Sequence, residues 1–315
     1  MRKFLCILIM FFSALSLAAC GKKEETNTIR YIGFKIYDPV YVAQEKGFFS
    51  KHNVEVEIIE LLAGGPTALQ VISGGSAEVC ASSYMAVINA RVQGLPVMAI
   101  SDIQSAIGEQ ALEEFFVRKD SGINSIADLK GKSIAINLVK SSFHYTWIMA
   151  LADVGLTEDD VEFVVLSFDQ QELALANGSV DAIGVMQPYV GSAKQNEEIK
   201  TLYTALDVFG EKQFTAHVIN NDWAENHPKQ VDGFVAAIAE TVAWIEANQE
   251  EAKVIISKYT GVATENIDDY YFQKNAAIII DDAQYWLDYM RSTGEVTADW
   301  LRVKDFATNR YNPYE

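Results

Sequence analysis

Along the first third of the chain, apolar runs typical of strands alternate with segments whose hydrophobic residues have helical spacing. Residues 29–33 form a short apolar run, and residues 54–61 alternate valine or isoleucine with glutamate. Residues 40–48 have helical spacing, and Gly64-Gly65-Pro66 opens a second helical segment before a third apolar run at 78–81. The order strand, helix, strand, helix, strand predicts a mostly parallel sheet with helices on both faces.

The middle of the chain repeats this pattern. Strands are predicted at 132–136, 161–166 and 180–185, each followed by a helical segment. The junction Gly75-Ser76-Ala77-Glu78 resembles Gly178-Ser179-Val180-Asp181, and each precedes the third strand of its unit. The elements predicted after residue 213 are a strand at 214–220 and helices at 227–247, 248–259, 266–272, 283–293 and 297–306. We therefore predict an α/β protein of two similar lobes, with a helical C-terminal part packed on the first lobe.

Small and polar residues follow the predicted strands, at the edge where open α/β sheets bind ligands. Several of these loops lead directly into helices, whose first N–H groups are unpaired and attract anions. Ordinary capping by serine and threonine explains any single loop equally well. Four loops that meet at one crevice favour a ligand site, and aromatic residues beside them would form its walls. The candidate ligand-binding residues are Tyr37, Asp38, Gly65, Pro66, Thr67, Ser82, Ser83, Tyr84, Asn137, Ser141, Ser142, Phe143, His144, Gln187, Tyr189 and His217. Lys140 is either a counter-ion for the ligand or a solvated loop lysine.

Residues 1–19 have the pattern of a signal peptide. Two basic residues precede a nearly continuous apolar stretch at 4–17, and the segment ends in Leu17-Ala18-Ala19. A membrane-spanning anchor is the alternative, but the apolar stretch is shorter than the roughly 20 residues that a span requires. Cys20, directly after these small residues, resembles the lipobox cysteine of bacterial lipoproteins. That resemblance implies a lipidated Cys20 at the start of the mature chain, and residues 20–28 are expected to form a polar tether.

The composition narrows the classes of function. The chain of 315 residues has a formal net charge of −18, which disfavours binding to nucleic acid or to an anionic membrane surface. An anionic ligand must therefore be held by local donors. Cys80 lies alone in an apolar run, the four histidines have no metal-binding spacing, and no nucleophile elbow or phosphate loop occurs. We expect no metal, no cofactor and no enzymatic activity.

Five stretches carry a resemblance to a known family. They are YVAQEKGFF at 41–49, GGSAEVCASS at 74–83, LKGKSIAI at 129–136, NGSVDAIGV at 177–185 and QPY at 187–189. They resemble the substrate-binding proteins of ABC transporters, in the branch that handles nitrate, bicarbonate, taurine, alkanesulfonates and pyrimidine precursors of thiamine. The resemblance covers most of residues 29–221.

The resemblance implies a periplasmic-binding-protein-like fold of type II, with two lobes joined by a two-strand hinge. Lobe one would comprise residues 29–115 and 220–315, and lobe two residues 116–219. It further implies a monomer, lipid-anchored at the extracytoplasmic face of the cell membrane, that delivers a small solute to a membrane permease driven by an ATPase. An aliphatic sulfonate is the leading ligand, and the alternative is an aromatic or heterocyclic nutrient such as a thiamine pyrimidine precursor or a riboflavin-like compound. A pyrimidine-synthesis enzyme and a non-transport sensor lipoprotein rank lower.

Overall fold

The computed structural model describes residues 28–62, 64–108 and 110–315. The predicted signal peptide, the lipidation of Cys20 and the tether up to residue 27 lie outside the described residues. Within the described ranges, no helix is long and apolar enough to cross a membrane. The first strand begins at Thr28, the last residue of the predicted tether.

The strands of the described ranges form two sheets. In chain order the strands are β1 (Thr28–Gly33), β2 (Glu55–Leu61), β3 (Val79–Ser83), β4 (Val97–Ser105), β5 (Glu113–Arg118), β6 (Ser133–Ile136), β7 (Glu162–Val165), β8 (Ala182–Met186), β9 (Ile199–Thr204) and β10 (Gln213–Asn220). The first sheet has the order β2-β1-β3-β10-β4 and the second β7-β6-β8-β5-β9. In both sheets three strands run parallel, and the next strand, β10 or β5, is antiparallel to its neighbours. The two lobes share one topology, which confirms the predicted pair of α/β lobes.

Helices cover the faces of both sheets. In chain order they are α1 (Pro39–Lys46), α2 (Phe48–Lys51), α3 (Gly65–Ser73), α4 (Tyr84–Val92), α5 (Ser142–Asp153), α6 (Phe168–Ala176), α7 (Tyr189–Gln195), α8 (Ala205–Phe209), α9 (Asn221–Asn226), α10 (Pro228–Ala247), α11 (Gln249–Thr260) and α12 (Ile280–Ser292). The start of α1 follows from its sequence. Asp38 accepts a hydrogen bond from the Val40 N–H at 2.9 Å, and Pro39 occupies the first turn, where no N–H is needed.

The repeated junction before β3 and β8 has the same structural role in each lobe. Glu78 accepts the backbone N–H of Arg30 in β1 at 2.7 Å, and Asp181 accepts that of Ser133 in β6 at 3.0 Å. Each acid directly precedes its strand, β3 or β8, and joins the start of that strand to a parallel neighbour, β1 or β6. The acidic residue that ends both four-residue junctions, Glu78 or Asp181, accepts this bond through its carboxylate.

The chain changes lobes at residues 106–112 and again at 210–212, between the strands that belong to each sheet. The lobe boundaries expected from the sequence, after residues 115 and 219, fall inside β5 and β10. An apolar strand of this kind does not reveal from its own residues which sheet it joins. In the structure β5 pairs wholly within lobe two and β10 wholly within lobe one.

The C-terminal part packs on lobe one, as predicted, with α10 against α1 and α2 and α12 against α4. Two of its predicted helices are wrong. Residues 266–272 form no helix beyond the last residue of the 3-10 turn Thr264–Asn266, and residues 297–306 contain only the 3-10 turn Val303–Asp305. In the first segment the side chain of Gln249 bonds both the N–H and the carbonyl of Tyr270, at 3.1 and 2.9 Å. A side-chain amide there replaces the bonds that a helix would have supplied.

Candidate functional site

A small cavity lies between the two lobes, at the carboxyl ends of their parallel strands. Its volume is about 30 Å³, room for about one or two water molecules. Its lining residues are Phe34, Ile36, Gly65, Pro66, Ala81, Ser82, Ser83, Asn137, Ser141, Ser142, Phe143, Phe168, Met186 and Thr215. Because both lobes line so small a space, the structure is a closed form, and the lobes must part before a solute can enter.

Two glycines at the start of α3 allow its backbone to lie close to Ser82 in lobe one and to Leu138 in lobe two. A β-carbon on Gly65 would lie 2.3 Å from Ser82 Oγ, and one on Gly64 would lie 3.0 Å from the side chain of Leu138 in lobe two. Ser82 Oγ is buried and has no hydrogen-bond partner among the described residues. Such a hydroxyl costs free energy when left unpaired. Ser82 is therefore a candidate donor to a ligand.

Ser83 and Ser141 begin equivalent helices on the two sides of the cavity. Ser83 Oγ accepts the Ala86 N–H of α4 at 3.4 Å, and Ser141 Oγ accepts the His144 N–H of α5 at 3.5 Å. Ser141 also donates to Asn137 Oδ1 at 2.7 Å. Both hydroxyls thus have a capping role. The remaining N–H groups of these two helix starts still carry the positive end of the helix dipole toward the cavity.

The wall of lobe two is largely aromatic. The rings of Phe143 and Phe168 pack edge to face with centroids 5.0 Å apart, and Met186 completes the apolar side. None of the lining residues has a charged side chain. An anion in this cavity would therefore be held by N–H and O–H donors rather than by an ion pair.

Two buried acids flank the first crossing between the lobes. Asp102 in β4 and Glu113 at the start of β5 are almost completely buried. Burial raises the pKa of each to about 8. Asp102 accepts a hydrogen bond from Ser105 Oγ at 2.8 Å, and Glu113 accepts one from Thr146 Oγ1 at 2.8 Å. Both carboxyl groups are therefore mainly neutral at pH 7.

Half of the candidate residues from the sequence line this cavity. These are Gly65, Pro66, Ser82, Ser83, Asn137, Ser141, Ser142 and Phe143. The other candidates, placed elsewhere, are Tyr37, Asp38, Thr67, Tyr84, His144, Gln187, Tyr189 and His217. Thr67 is exposed on α3, and Tyr84, the first residue of α4, is completely buried. His144 packs against Phe163 within lobe two. Tyr37 joins the lobes through its N–H, which donates to the carbonyl of Gln187 at 3.0 Å.

Sequence reasoning missed six lining residues. They are Phe34, Ile36, Ala81, Phe168, Met186 and Thr215. Phe34, Phe168 and Met186 lie at or just beyond the ends of β1, β7 and β8, so the rule that selected the serine loops also covers them. Thr215 lies within β10, and only the pairing of β10 with β3 brings it beside Ser83.

A serine, a histidine and an aspartate lie in hydrogen-bond contact inside lobe one. Ser101 Oγ lies 2.8 Å from His217 Nδ1, and His217 Nε2 lies 3.2 Å from Asp38 Oδ1. Tyr31 donates to the same aspartate. In this closed form Ser101, His217 and Asp38 have no exposed surface. Across the described ranges, no group of three or more His, Cys, Asp and Glu side chains could hold a metal ion.

A second cavity, of about 270 Å³, shares Phe168 with the first. It lies between α6, β8 and α7 of lobe two and the segment after α11 that belongs to lobe one. Asp169, Glu172 and Tyr189 line it together with residues 260–263 and Asn266. The larger space is therefore also an interlobe space.

Besides the Tyr37–Gln187 bond and an ion pair between Lys35 and Asp169, two sets of contacts among the described residues join the lobes. In the first, which we name the Glu295 cluster, Asn89 and Glu295 of lobe one meet Lys140 and Tyr145 of lobe two. Glu295 Oε1 accepts from Tyr145 at 2.6 Å, from Lys140 at 3.2 Å and from Asn89 at 3.2 Å, and Asn89 also donates to the Tyr145 hydroxyl at 2.7 Å. Lys140 thus pairs with Glu295 and does not line the cavity.

The second set, which we name the Asn266 segment, comprises residues 262–268 against α7 and the residues before it. Gln195 donates to the carbonyl of Glu265 at 3.3 Å, and Gln187 donates to Asp268 at 2.9 Å. A β-carbon on Gly191 would lie only 2.0 Å from the carbonyl oxygen of Asn266. The backbone of lobe one therefore lies directly against this glycine of lobe two.

Comparisons with known proteins agree with this architecture. A Bacillus subtilis (strain 168) protein named for the binding of aliphatic sulfonates is 26% identical over 76% of this chain and 71% of its own length. The riboflavin-binding protein RibY of Chloroflexus aurantiacus is 27% identical over 92% of this chain and 86% of its own. The crystal structure of the periplasmic aliphatic sulphonate binding protein SsuA from Escherichia coli superposes with a TM-score of 0.69 at 18% identity, over 89% of this chain and 91% of that one. This likeness shows a shared periplasmic-binding-protein-like fold.

The family model described as NMT1/THI5 like matches residues 37–252. The match takes in both crossings between the lobes, the whole of α10 and every cavity-lining residue except Phe34 and Ile36. The chain therefore belongs to the NMT1/THI5-like family.

Proposed function

We propose that this protein is the extracytoplasmic solute-binding component of an ABC importer, and that its solute is a small organic anion, with an aliphatic sulfonate as the leading candidate. The uncharged cavity between the starts of α4 and α5 carries the proposal. N–H groups at helix starts, with the hydroxyls of Ser82 and Ser142, suit the oxygens of a sulfonate. The sulfonate-binding relatives in Bacillus subtilis and Escherichia coli support this choice.

Binding would act through closure of the lobes. The solute enters when the lobes part and stabilises the closed form by contacts that only this form provides. The closed, loaded protein then docks as a monomer on a membrane permease driven by an ATPase, while the lipid on Cys20 keeps it at the membrane. The protein itself performs no covalent chemistry in this scheme.

A heterocyclic nutrient is the second candidate, and the second cavity favours it. The adjoining space of about 270 Å³ is larger than the first cavity and has Phe168 and Tyr189 in its wall. Aromatic side chains of this kind stack on flat ligands. The riboflavin-binding relative in Chloroflexus aurantiacus supports this alternative.

A ligand panel tests the proposal. Purified protein is heated with taurine, alkanesulfonates, nitrate, bicarbonate, aminopyrimidines or riboflavin, and hits are measured by calorimetry. A ligand at about 100 times its dissociation constant should stabilise the fold by about 2.7 kcal/mol. We expect a sulfonate hit that weakens about 10- to 150-fold in Ser82→Ala and in Ser142→Ala, since each loses a hydrogen bond to a charged group.

Ser257→Ala is the matched control, because Ser257 lies in α11, outside both cavities. It should bind as the unchanged protein does. A response to ring compounds alone, lost in Phe168→Ala, would replace the sulfonate by the heterocycle. Absence of any hit, together with no co-purified solute by native mass spectrometry, would contradict a transport role and favour the sensor lipoprotein.

A further inference from the structure

The wall of the cavity in lobe two is backed by an acid. Glu113 begins β5 and has no exposed surface. It is the ladder partner of Met186 in β8, which lines the cavity. On its other side it accepts a hydrogen bond from Thr146 of α5, one turn beyond the lining residue Ser142. Glu113 therefore lies directly behind the helix start that faces the ligand.

No cation compensates Glu113 among the described residues. Burial raises its pKa, and only the hydroxyls of Ser142 and Thr146 oppose this effect. The titratable groups on the elements packed against β5 and on α5 are Lys200 and Tyr203 on β9, Tyr189 and Lys194 on α7, Asp169 and Glu172 on α6, and His144, Tyr145 and Asp153 on α5. Lys200 donates to Asn124 at 2.7 Å. Tyr203 is fully neutral at ordinary pH, since burial and Glu113 raise its pKa well above its usual value. Lys194 pairs with Glu114, the next residue of β5.

The hydrogen bonds around Thr146 also suit a neutral Glu113. Thr146 Oγ1 lies 2.8 Å from Glu113 Oε2 and 3.2 Å from the backbone carbonyl of Ser142. The threonine hydroxyl has one proton and can donate to only one of these oxygens. A protonated Glu113 can donate to Thr146, which then donates to Ser142. An ionised Glu113 would draw the threonine proton to itself and leave the carbonyl at the helix start without this donor.

We propose that Glu113 couples the binding of an anionic solute at the start of α5 to the uptake of a proton from solvent. The inference rests on the proposed function, because it requires an anion at that helix start. A carboxylate on Glu113 and a bound anion would repel each other across a water-poor interior. Both would also compete for the positive end of the same helix dipole. The neutral acid is therefore the form that binds the anion.

The direction of the pH dependence follows from linkage. Burial raises the pKa of Glu113 to about 8 in this closed form without ligand, and a bound anion raises it further. Below about pH 7 the acid is protonated with or without ligand, so the affinity is constant. Above about pH 8 the proton must be supplied on binding, and the dissociation constant should rise by up to about tenfold per pH unit.

Ethanesulfonate is the probe, because it has no amine that titrates in this range, as taurine has. Its dissociation constant is measured calorimetrically on the purified protein from pH 6.5 to 9.5. At pH 8.5 the measurement is repeated in Tris and in bicine, which differ in ionisation enthalpy and contain no sulfonate. We expect the observed heat to change with the buffer by the amount that proton uptake predicts, and the affinity to fall above pH 8.

Glu113→Gln should give a flat pH profile and a heat that does not depend on the buffer. Asp102→Asn is the matched control, because Asp102 is equally buried and its pKa is also raised to about 8, but it bonds Ser105 in lobe one. This control should keep the pH dependence of the unchanged protein. If Glu113→Gln does not fold, infrared difference spectra of the unchanged protein at pH 8.5 should show a protonated carboxyl band that grows when ethanesulfonate binds.

The outcomes separate the two proposals. Binding at pH 6.5 with the same affinity at pH 9.5 and no buffer-dependent heat would overturn the role of Glu113 and leave the anion site intact. A pH dependence that disappears in Asp102→Asn instead would also overturn it. No binding of ethanesulfonate at any pH would contradict the sulfonate site itself, and with it the proton coupling.

Discussion

The Glu295 cluster and the Asn266 segment both join the lobes, but they are built from different parts of the chain. The cluster consists of side chains that converge on one carboxylate oxygen, and the Lys140 and Glu295 side chains in it are 58% and 24% exposed. The segment combines two side-chain hydrogen bonds, from Gln195 and Gln187, with a close contact between the backbone of lobe one and Gly191. The cluster is therefore polar and partly exposed to solvent, whereas the segment adds a backbone contact that depends on shape.

The difference indicates how each set responds to change. Hydrogen bonds at a partly exposed cluster are replaced by water when they break, so each contributes about 0.5–1.5 kcal/mol. A close backbone contact has no such substitute, since any added atom holds the surfaces apart. We therefore expect the Asn266 segment to decide whether the lobes can close, and the Glu295 cluster to adjust how often they do.

Gly191→Ala should have the largest effect. Its β-carbon would overlap the Asn266 carbonyl, which belongs to the other lobe in this closed form. Overpacking of this kind costs about 1–3 kcal/mol, so ligand affinity should fall by about 5- to 150-fold. Calorimetry measures the affinity, and small-angle scattering should show a larger radius of gyration.

Gly74→Ala is the matched control. Gly74 ends α3 with a negative φ, and a β-carbon there would have ordinary contacts at 3.5 and 3.6 Å. This variant should bind and scatter as the unchanged protein does. Equal affinity in Gly191→Ala and Gly74→Ala would show that closure does not require the Asn266 contact.

Tyr145→Phe should have an intermediate effect. It removes a donor to Glu295 and an acceptor for Asn89, so the closed form should lose about 0.5–1.5 kcal/mol and affinity should fall about 2- to 10-fold. A double-mutant cycle with Glu295→Gln measures the coupling of the pair. Additive losses would mean that the two side chains act independently, contrary to the cluster described above.

Lys35→Ala should have the smallest effect. Lys35 reaches Asp169 across the cleft at 3.4 Å, but both side chains are about half exposed. Exposed ion pairs contribute about 0–1 kcal/mol and are screened by salt. The affinity should change less than about fivefold in dilute buffer, and the difference should vanish in 1 M salt. A larger loss that persists in salt would assign Lys35 a direct part in holding the ligand.

The two lobes could be predicted because the sequence patterns that specify their strands and helices each lie within a few residues. The alternation in β2, the helix-start signal Asp38-Pro39 and the repeated junction at Gly75 and Gly178 each lie within a few residues. The pairing of β5 and β10 could not be predicted this way, since both are apolar runs that would fit either sheet. The helix predicted at 266–272 is absent for a similar reason. The backbone groups of Tyr270 bond the side-chain amide of Gln249, which lies 21 residues earlier, outside the local sequence.

The residues of the site also fall into a group that the local sequence predicts and a group that it does not. Ser82, Ser83, Ser141 and Ser142 follow strands directly, so their position at the cavity follows from the order of elements. Glu295, in contrast, lies 150 residues from the tyrosine that it binds. Nothing in the residues around Gly191 indicates that Asn266 will lie against it. Contacts between the lobes therefore need the assembled structure.

The position of β10 has a consequence for the order of folding. This strand lies in the middle of the first sheet, between β3 and β4, although more than a hundred residues of chain and the whole second sheet separate it from β4. The second sheet is complete once β9 has been made, at Thr204, but the first sheet has a gap until Asn220. A nascent chain can therefore finish lobe two while β3 and β4 still present open edges. A chain that stops before β10 should contain one folded lobe and one sheet prone to aggregation.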